Sequence, residues 1–320
     1  MRALYCLDPD VAPHHVEEVV RRCGLDAVVV GDRAQENEEL LSWLRDGDLG
    51  VALNFPLFFD PVLLAQMPDT YAVTSAGRRA VDRWLHMACP RSDEFWDARR
   101  RALAGALEVL QPDLVCLDFA RTFVMWERVP ADASAADIEH GCWCARCVDG
   151  LPTPVDREQL GRNAVEAVTA RVRDAVDVVR ATSTDTTVGV KVVPWLADDY
   201  AGARRWACGQ DLEALASCVD VLMPMSYSAM IGRPAHHVRK LHDEIRRSTG
   251  RPVVPWVQAA SADDDAALDV DELRRMLDAA APETSDGVCV FHLDGVADRP
   301  EVTELLHAML SNPMRRSARA

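Results

Sequence analysis

The chain has no apolar run approaching the ~20 residues that cross a bilayer, which predicts a soluble protein. Basic charge is scarce: 35 Lys and Arg stand against 51 Asp and Glu, for a formal charge of -16. Such a surface repels phosphate backbones and anionic membranes, so neither nucleic acid nor a membrane is an expected partner. No Gly-x-Gly-x-x-Gly follows any apolar segment. That removes the sequence sign of a dinucleotide-binding open sheet, and no organic cofactor is expected. The Cys-x-x-x-Cys-x-x-Cys spacing of radical iron-sulfur enzymes is missing as well.

Met1-Arg-Ala-Leu-Tyr-Cys-Leu-Asp8 carries no small-residue cleavage pattern and reads as a first strand, not an export signal. The ten cysteines are therefore expected as reduced thiols of a cytoplasmic protein. Cys6, Cys116 and Cys289 lie inside apolar strand-like runs, where a thiol behaves as a small hydrophobe.

What the chain does have is a regular alternation. Strands are predicted over 3–8, 27–32, 49–59, 114–120, 187–195, 220–227, 252–259 and 287–294. Amphipathic helices are predicted over 16–23, 36–45, 93–110, 157–181, 212–218, 235–247, 271–279 and 301–310. Eight strands, each followed by a helix, describe an α/β (β/α)8 TIM barrel. One such domain over residues 1–311 is expected, with a disordered basic tail over 312–320. Long connections after strands three (60–90) and four (121–156) would lie over the carboxyl face and wall a site there. In the last strand Cys289, Phe291 and Leu293 are expected to face the helices, with Val290, His292 and Asp294 toward the barrel axis. Val192-Val-Pro-Trp195 recurs as Val253-Val-Pro-Trp256, a short echo in keeping with barrel pseudo-symmetry.

Barrel enzymes build their sites at the carboxyl ends of strands, which draws attention to Asp118 at the end of the fourth. On the alternation it shares a face with Leu114 and Cys116, and Lys191 on the next strand is the obvious cation for it. That pair is either structural or catalytic. Other polar groups expected near strand ends are Asp32, Asn54, Arg121, Glu127, Tyr227, Gln258, His292 and Asp294. Trp126, Trp195 and Trp256 are expected on the same rim, where flat aromatic faces suit a polyhydroxylated ring. In the loop after strand four, Cys142-Trp-Cys144-Ala-Arg-Cys147 offers three closely spaced soft ligands. They fit a structural zinc site if a fourth ligand arrives: Cys89 first, then His140 or His86.

These segments resemble bacterial glycoside-hydrolase-like TIM barrels that carry Asp-Gly-Ile-x-Leu-Asp-Phe/Tyr-x-Arg on strand four and often Cys-x-Cys-x-x-Cys in the loop after it. The matching residues here are Asp113 to Arg121, Trp126-Glu127 and Cys142 to Cys147. Cys89-Pro-Arg-Ser-Asp-Glu-Phe looks like the Cys-Pro segment of that group, and Met223-Pro-Met-Ser-Tyr227 like the end of the sixth strand in chitinase-like barrels. The resemblance implies an enzyme that cleaves a glycoside or related polyhydroxylated small molecule with a pair of carboxylates. Two departures stand out. Chitinase-like barrels place an acid Glu where this chain has Ala120, and amylase-like barrels place a Glu where it has Trp195. If Asp118 is one catalytic carboxylate, its partner is to be sought among Glu127, Asp294 and Asp32. A lyase or isomerase using Lys191 or the His292-Asp294 pair, and a sugar-binding barrel without catalysis, stand as alternatives.

Overall fold

A computed structural model of the chain describes residues 1–260, 268–280 and 286–311. The tail expected over 312–320 lies outside the described residues. Eight parallel strands form one sheet: β1 (Arg2–Cys6), β2 (Ala27–Gly31), β3 (Gly50–Pro56), β6 (Leu114–Asp118), β7 (Thr187–Val192), β8 (Val221–Pro224), β9 (Trp256–Gln258) and β10 (Val288–Phe291). In the order β8-β7-β6-β3-β2-β1-β10-β9 each lies beside its sequence neighbour in the barrel series. The ring is closed between β8 and β9 by parallel bridges from Leu222 to Val253 and from Met225 to Trp256, with Ser226 N–H donating to the Trp256 carbonyl. This is the (β/α)8 barrel the alternation predicts.

Helices α1 (Pro13–Cys23), α2 (Glu38–Asp46), α4 (Asp93–Leu110), α6 (Arg157–Thr182), α8 (Leu212–Ala216), α9 (His236–Thr249), α10 (Val270–Ala280) and α11 (Pro300–Leu310) surround the strands. Their starts are written in the sequence. Asn37, Ser92, Asp156 and Asp211 cap α2, α4, α6 and α8 by accepting a hydrogen bond from a first-turn amide. None of the described helices is long and apolar enough to cross a membrane.

The strands are buried on both faces, as parallel strands between two layers must be. Val28, Val30, Leu53, Val115, Leu117, Val188, Val190 and Val290 pack outward with helix residues such as Val16, Leu103 and Leu241. Burying each such side chain favours folding by about 1.5 to 3 kcal/mol. Ala3, Tyr5, Val29, Ala52, Cys116, Met223, Trp256, Cys289 and Phe291 fill the interior. Small and large residues alternate there, and the fit is tight at Gly189, where a Cβ would lie 2.7 Å from Met223 Sδ.

The last strand corrects one expectation. Cys289 and Phe291 face the interior and Val290 faces the helices, the reverse of the predicted parity, while Leu293 does join the outer layer. The strand ends at Phe291, and Leu293–Gly295 form a 3-10 turn, so a period of two counted through 287–294 loses its phase. The echoed Val-Val-Pro-Trp segments are not equivalent either. Trp195 lies beyond the end of β7, whereas Trp256 opens β9.

Both long connections carry structure that periodicity does not reveal. Between β3 and α4 lie α3 (Pro61–Gln66), capped by Asp60, and a hairpin of β4 (Val81–Asp82) and β5 (Leu85–His86). Between β6 and α6 lie a 3-10 turn at Trp126–Arg128 and α5 (Ala145–Val148). A further short helix, α7 (Ala203–Trp206), follows β7. The two long connections meet in an antiparallel bridge between Thr74 and Gly141. Trp143 N–H donates to the Val73 carbonyl and Ser75 N–H to the His140 carbonyl, each at 2.7 Å.

Candidate active site

At the carboxyl ends of the strands the two connections enclose a cavity of about 400 Å³, a size ordinary for small-molecule sites. Asp118, the last residue of β6, stands in its floor and is 7% exposed. Its Oδ1 accepts from the Phe119 amide at 2.7 Å, and its Oδ2 accepts from Asn54 Nδ2 at 3.1 Å and Lys191 Nζ at 2.7 Å. A carboxylate has about four lone-pair sites, so three donors fix the Asp118 side chain and leave one direction for a ligand.

The cation is held as firmly as the anion. Lys191 Nζ lies 3.6 Å from the Trp256 ring centroid and 5.2 Å from that of Tyr5, while Asn54 Nδ2 also donates to Tyr5 Oη at 3.1 Å. Burial, with the Asp118 charge second, pushes the Tyr5 phenol well above its ordinary value. Burial likewise raises Tyr227 well above 10.0, so both remain neutral hydroxyls.

Asp32 enters the wall through a buried arginine that the sequence reading missed. Arg99, on α4, donates to Asp32 Oδ2 and Asp60 Oδ2 at 2.8 Å each and to the Pro56 carbonyl, with its guanidinium 4.3 Å from the Phe55 ring centroid. Asp60 also caps α3, so one side chain joins a helix start to the pocket wall. Beside it Phe59 stacks on Phe119 at 4.5 Å, and Trp84 meets both rings edge-on. Phe119 holds a left-handed backbone, φ 47°, uncommon for a bulky residue. After that turn at the strand end its ring lies in the cavity lining.

The connection after β6 supplies more of the wall. Buried Arg121 donates to the Thr122 and Val124 carbonyls and so shapes the turn leading to Trp126 and the half-buried Glu127. Trp126 lies 6.2 Å from Tyr227, ring to ring. Among the described residues, Trp126 Nε1, Tyr227 Oη and Asn54 Oδ1 are buried without a protein hydrogen-bond partner. Buried polar atoms ordinarily find a partner, and in a pocket that partner is water or a ligand.

Of the residues predicted for the site, Asp118, Glu127, Asp32, Asn54, Arg121, Trp126, Lys191, Tyr227 and His292 line this one cavity. Asp294 does not: its side chain is 66% exposed and pairs with His292 Nδ1 at 3.2 Å. Trp195 is buried away from the cavity against Tyr200, with its carbonyl held by Arg204. Trp256 lies beneath Lys191 rather than on the rim, and Gln258 accepts from the Met230 amide at 3.2 Å. Tyr5, Phe59, Trp84 and Phe119 are the wall residues that the sequence reading did not single out. Tyr5 was detectable as an inward position of the first strand. Trp84, in an irregular connection, had no such signal.

The thiols converge as a second group. Sγ atoms of Cys89, Cys142, Cys144 and Cys147 all lie within 4.8 Å of one another, so the fourth member is Cys89, not His140 or His86. His86 instead meets the Tyr71 hydroxyl, and His140 Nε2 accepts from Trp143 Nε1. The neighbouring thiols of Cys142, Cys147 and Cys89 hold the Cys144 thiol below its ordinary range.

No family model matches the chain, and no curated protein matches it by sequence. Similarity appears in three dimensions. The PgaB (BpsB) glycoside hydrolase domain from Bordetella bronchiseptica superposes with a TM-score of 0.72 at 16% identity, covering 98% of this chain and 99% of that one. A β-galactosidase from the Antarctic haloarchaeon Halorubrum lacusprofundi follows at 0.70 and 14%, covering 97% and 57%. An α-L-fucosidase isoenzyme from Paenibacillus thiaminolyticus gives 0.65 and 11%, covering 96% and 48%. These structural neighbours are glycoside hydrolases. The chain spans nearly all of the first and about half the length of the other two. At such identities the likeness is one of fold, and no residue role passes across it.

Chemically, the cavity offers a carboxylate group with an acceptor site to spare, a second carboxyl group on a loop, neutral hydroxyl and indole donors, and aromatic faces.

Proposed function

We propose that this barrel is a glycosidase-type hydrolase acting on a glycoside or related polyhydroxylated small molecule, with Asp118 and Glu127 as its carboxylate pair. The observation that carries the proposal is that both groups, on separate elements, line one aromatic-walled cavity at the carboxyl ends of the strands. Asp118, fixed by donors from Lys191, Asn54 and the Phe119 amide, takes the role of nucleophile or of base toward water. Glu127 protonates the leaving oxygen as the glycosidic bond breaks. Trp126 and Tyr227 supply donors for sugar hydroxyls, and Asp32, fixed by Arg99, supplies an acceptor. Likeness of fold to glycoside hydrolases supports this reading.

Lys191 fits a positioning role better than a Schiff-base role. Its nitrogen donates to Asp118 and packs on the Trp256 ring, so it is committed to holding the carboxylate.

The test is product release from a panel of chromogenic glycosides by the wild type, Asp118→Asn and Glu127→Gln. Turnover of at least one glycoside that Asp118→Asn reduces by about 10²-fold or more, with Glu127→Gln sparing substrates whose activated leaving group departs without a proton, is the expected result. Tight binding without turnover across the panel would replace the hydrolase with the sugar-binding reading.

A further inference from the structure

We propose that Cys89, Cys142, Cys144 and Cys147 bind one zinc ion, and that this ion clasps together the two connections walling the Asp118 cavity. Their four sulfurs lie within 4.8 Å of one another, with Cys89 Sγ at 3.5 Å from both Cys144 Sγ and Cys147 Sγ. Tetrahedral zinc-thiolate bonds of about 2.3 Å place sulfurs ~3.8 Å apart, so the ion needs only small shifts to enter. Cys89, Cys142 and Cys147 are buried and Cys144 is half-buried, which gives four soft donors in a closed, dry setting. Such a set selects zinc over hard cations such as magnesium or calcium. Four protein ligands complete the coordination, so the ion has no open position and its role is structural. On binding, each thiol gives its proton to solvent and its sulfur becomes a thiolate ligand.

The clasp follows from where the ligands sit in the chain. Cys89 comes three residues after the β4–β5 hairpin, whose turn carries Trp84. Cys142, Cys144 and Cys147 lie farther along the connection that begins at Phe119 and carries Arg121, Trp126 and Glu127. Each connection is far longer than ordinary loops and has only short helices or a two-residue hairpin of its own. The Thr74–Gly141 bridge and the amide bonds of Ser75 and Trp143 join them on the backbone. Zinc adds four bonds at the same seam. It thereby fixes Trp84 of one connection relative to Glu127 of the other, both of which line the cavity.

The inference does not depend on the hydrolase reading, and its test reads metal and mobility instead of turnover. Full-length protein purified without added metal is analysed for its elements, then followed by amide hydrogen exchange before and after treatment with a zinc chelator. We expect about one zinc per chain, lost in Cys89→Ser and Cys144→Ser but kept in Cys218→Ser, whose thiol lies outside the cluster. Cobalt substituted for zinc should give the visible absorption of a tetrahedral thiolate site. Zinc removal should speed exchange at least tenfold in residues 70–90 and 120–147 while β1, β2 and β7 keep their protection. Protein that holds no zinc even after incubation with the metal would overturn the site. Zinc loss that leaves exchange unchanged in both connections would overturn the clasp. Because the chelator acts on the wild-type chain, the result stands even if a cysteine variant fails to fold.

Discussion

Lys191 Nζ lies 2.7 Å from Asp118 Oδ2 and 3.6 Å from the Trp256 ring centroid, so a buried anion, its cation and an aromatic face form one column inside the barrel. Removing one member of a buried pair strands the other. Lys191→Met should lower unfolding free energy by about 3 to 5 kcal/mol, measured from denaturant midpoints. Lys191→Met combined with Asp118→Asn should cost less than the sum of the two single changes. Strict additivity would mean that the pair is not coupled.

Arg99 meets two carboxylates and a carbonyl in a planar fork that lysine cannot reproduce. Arg99→Lys should therefore cost roughly the 1.5 to 3 kcal/mol of a hydrogen bond to a charged group. It should also raise KM severalfold more than it lowers kcat, because Asp32 loses its anchor without touching Asp118. A kcat loss with unchanged KM would place Asp32 in the chemistry instead.

Phe119 combines a left-handed backbone with a ring stacked on Phe59. Both Phe119→Ala and Phe119→Gly remove the ring, but only glycine is at ease with φ 47°. The glycine variant should be the more stable of the two by about 0.4 to 1 kcal/mol, in thermal or denaturant melts. Both should bind substrate more weakly.

His237 and His242, on α9, are held below the ordinary 6.5, in each case mainly by burial. Contacts with the Pro194 carbonyl and with Asp243 offset that only in part. Between their depressed values and 6.5 the native protein binds fewer protons than the unfolded chain, so stability falls as pH drops through that window and is insensitive to these groups above it. Wild type should lose melting temperature between pH 7.5 and pH 5.5, and His237→Gln or His242→Gln should lose less over the same interval. Equal slopes would remove these histidines as the cause.

The barrel was legible because its signals are local. Hydrophobic runs bounded by caps such as Asn37 and Ser92 mark strands and helices one at a time, and a strict alternation leaves few ways to close them. Asp118, Lys191 and Asn54 were readable for the same reason, since inward parity at a strand end predicts a site. Arg99 was not, because a basic residue on a helix reads as solvated until the fold brings Asp32 and Asp60 to it. Trp84 was hidden in a connection with no period. Asp294 and His292 were read as one inward pair, yet the strand ends before them and only His292 reaches the cavity. Cys89 was found from its chemistry alone: three thiols lacked a fourth.

The most direct test of the Asp118-Glu127 assignment compares glycosides of one sugar with two leaving groups, an activated nitrophenol and a simple alcohol. The nitrophenol departs without a proton, whereas the alcohol needs an acid. Wild type should cleave both, Asp118→Asn should cleave neither, and Glu127→Gln should keep the nitrophenyl substrate while losing the alkyl one by about 10²-fold or more. A Glu127→Gln enzyme that cleaves both as the wild type does, or an Asp118→Asn enzyme at full activity, would contradict the assignment.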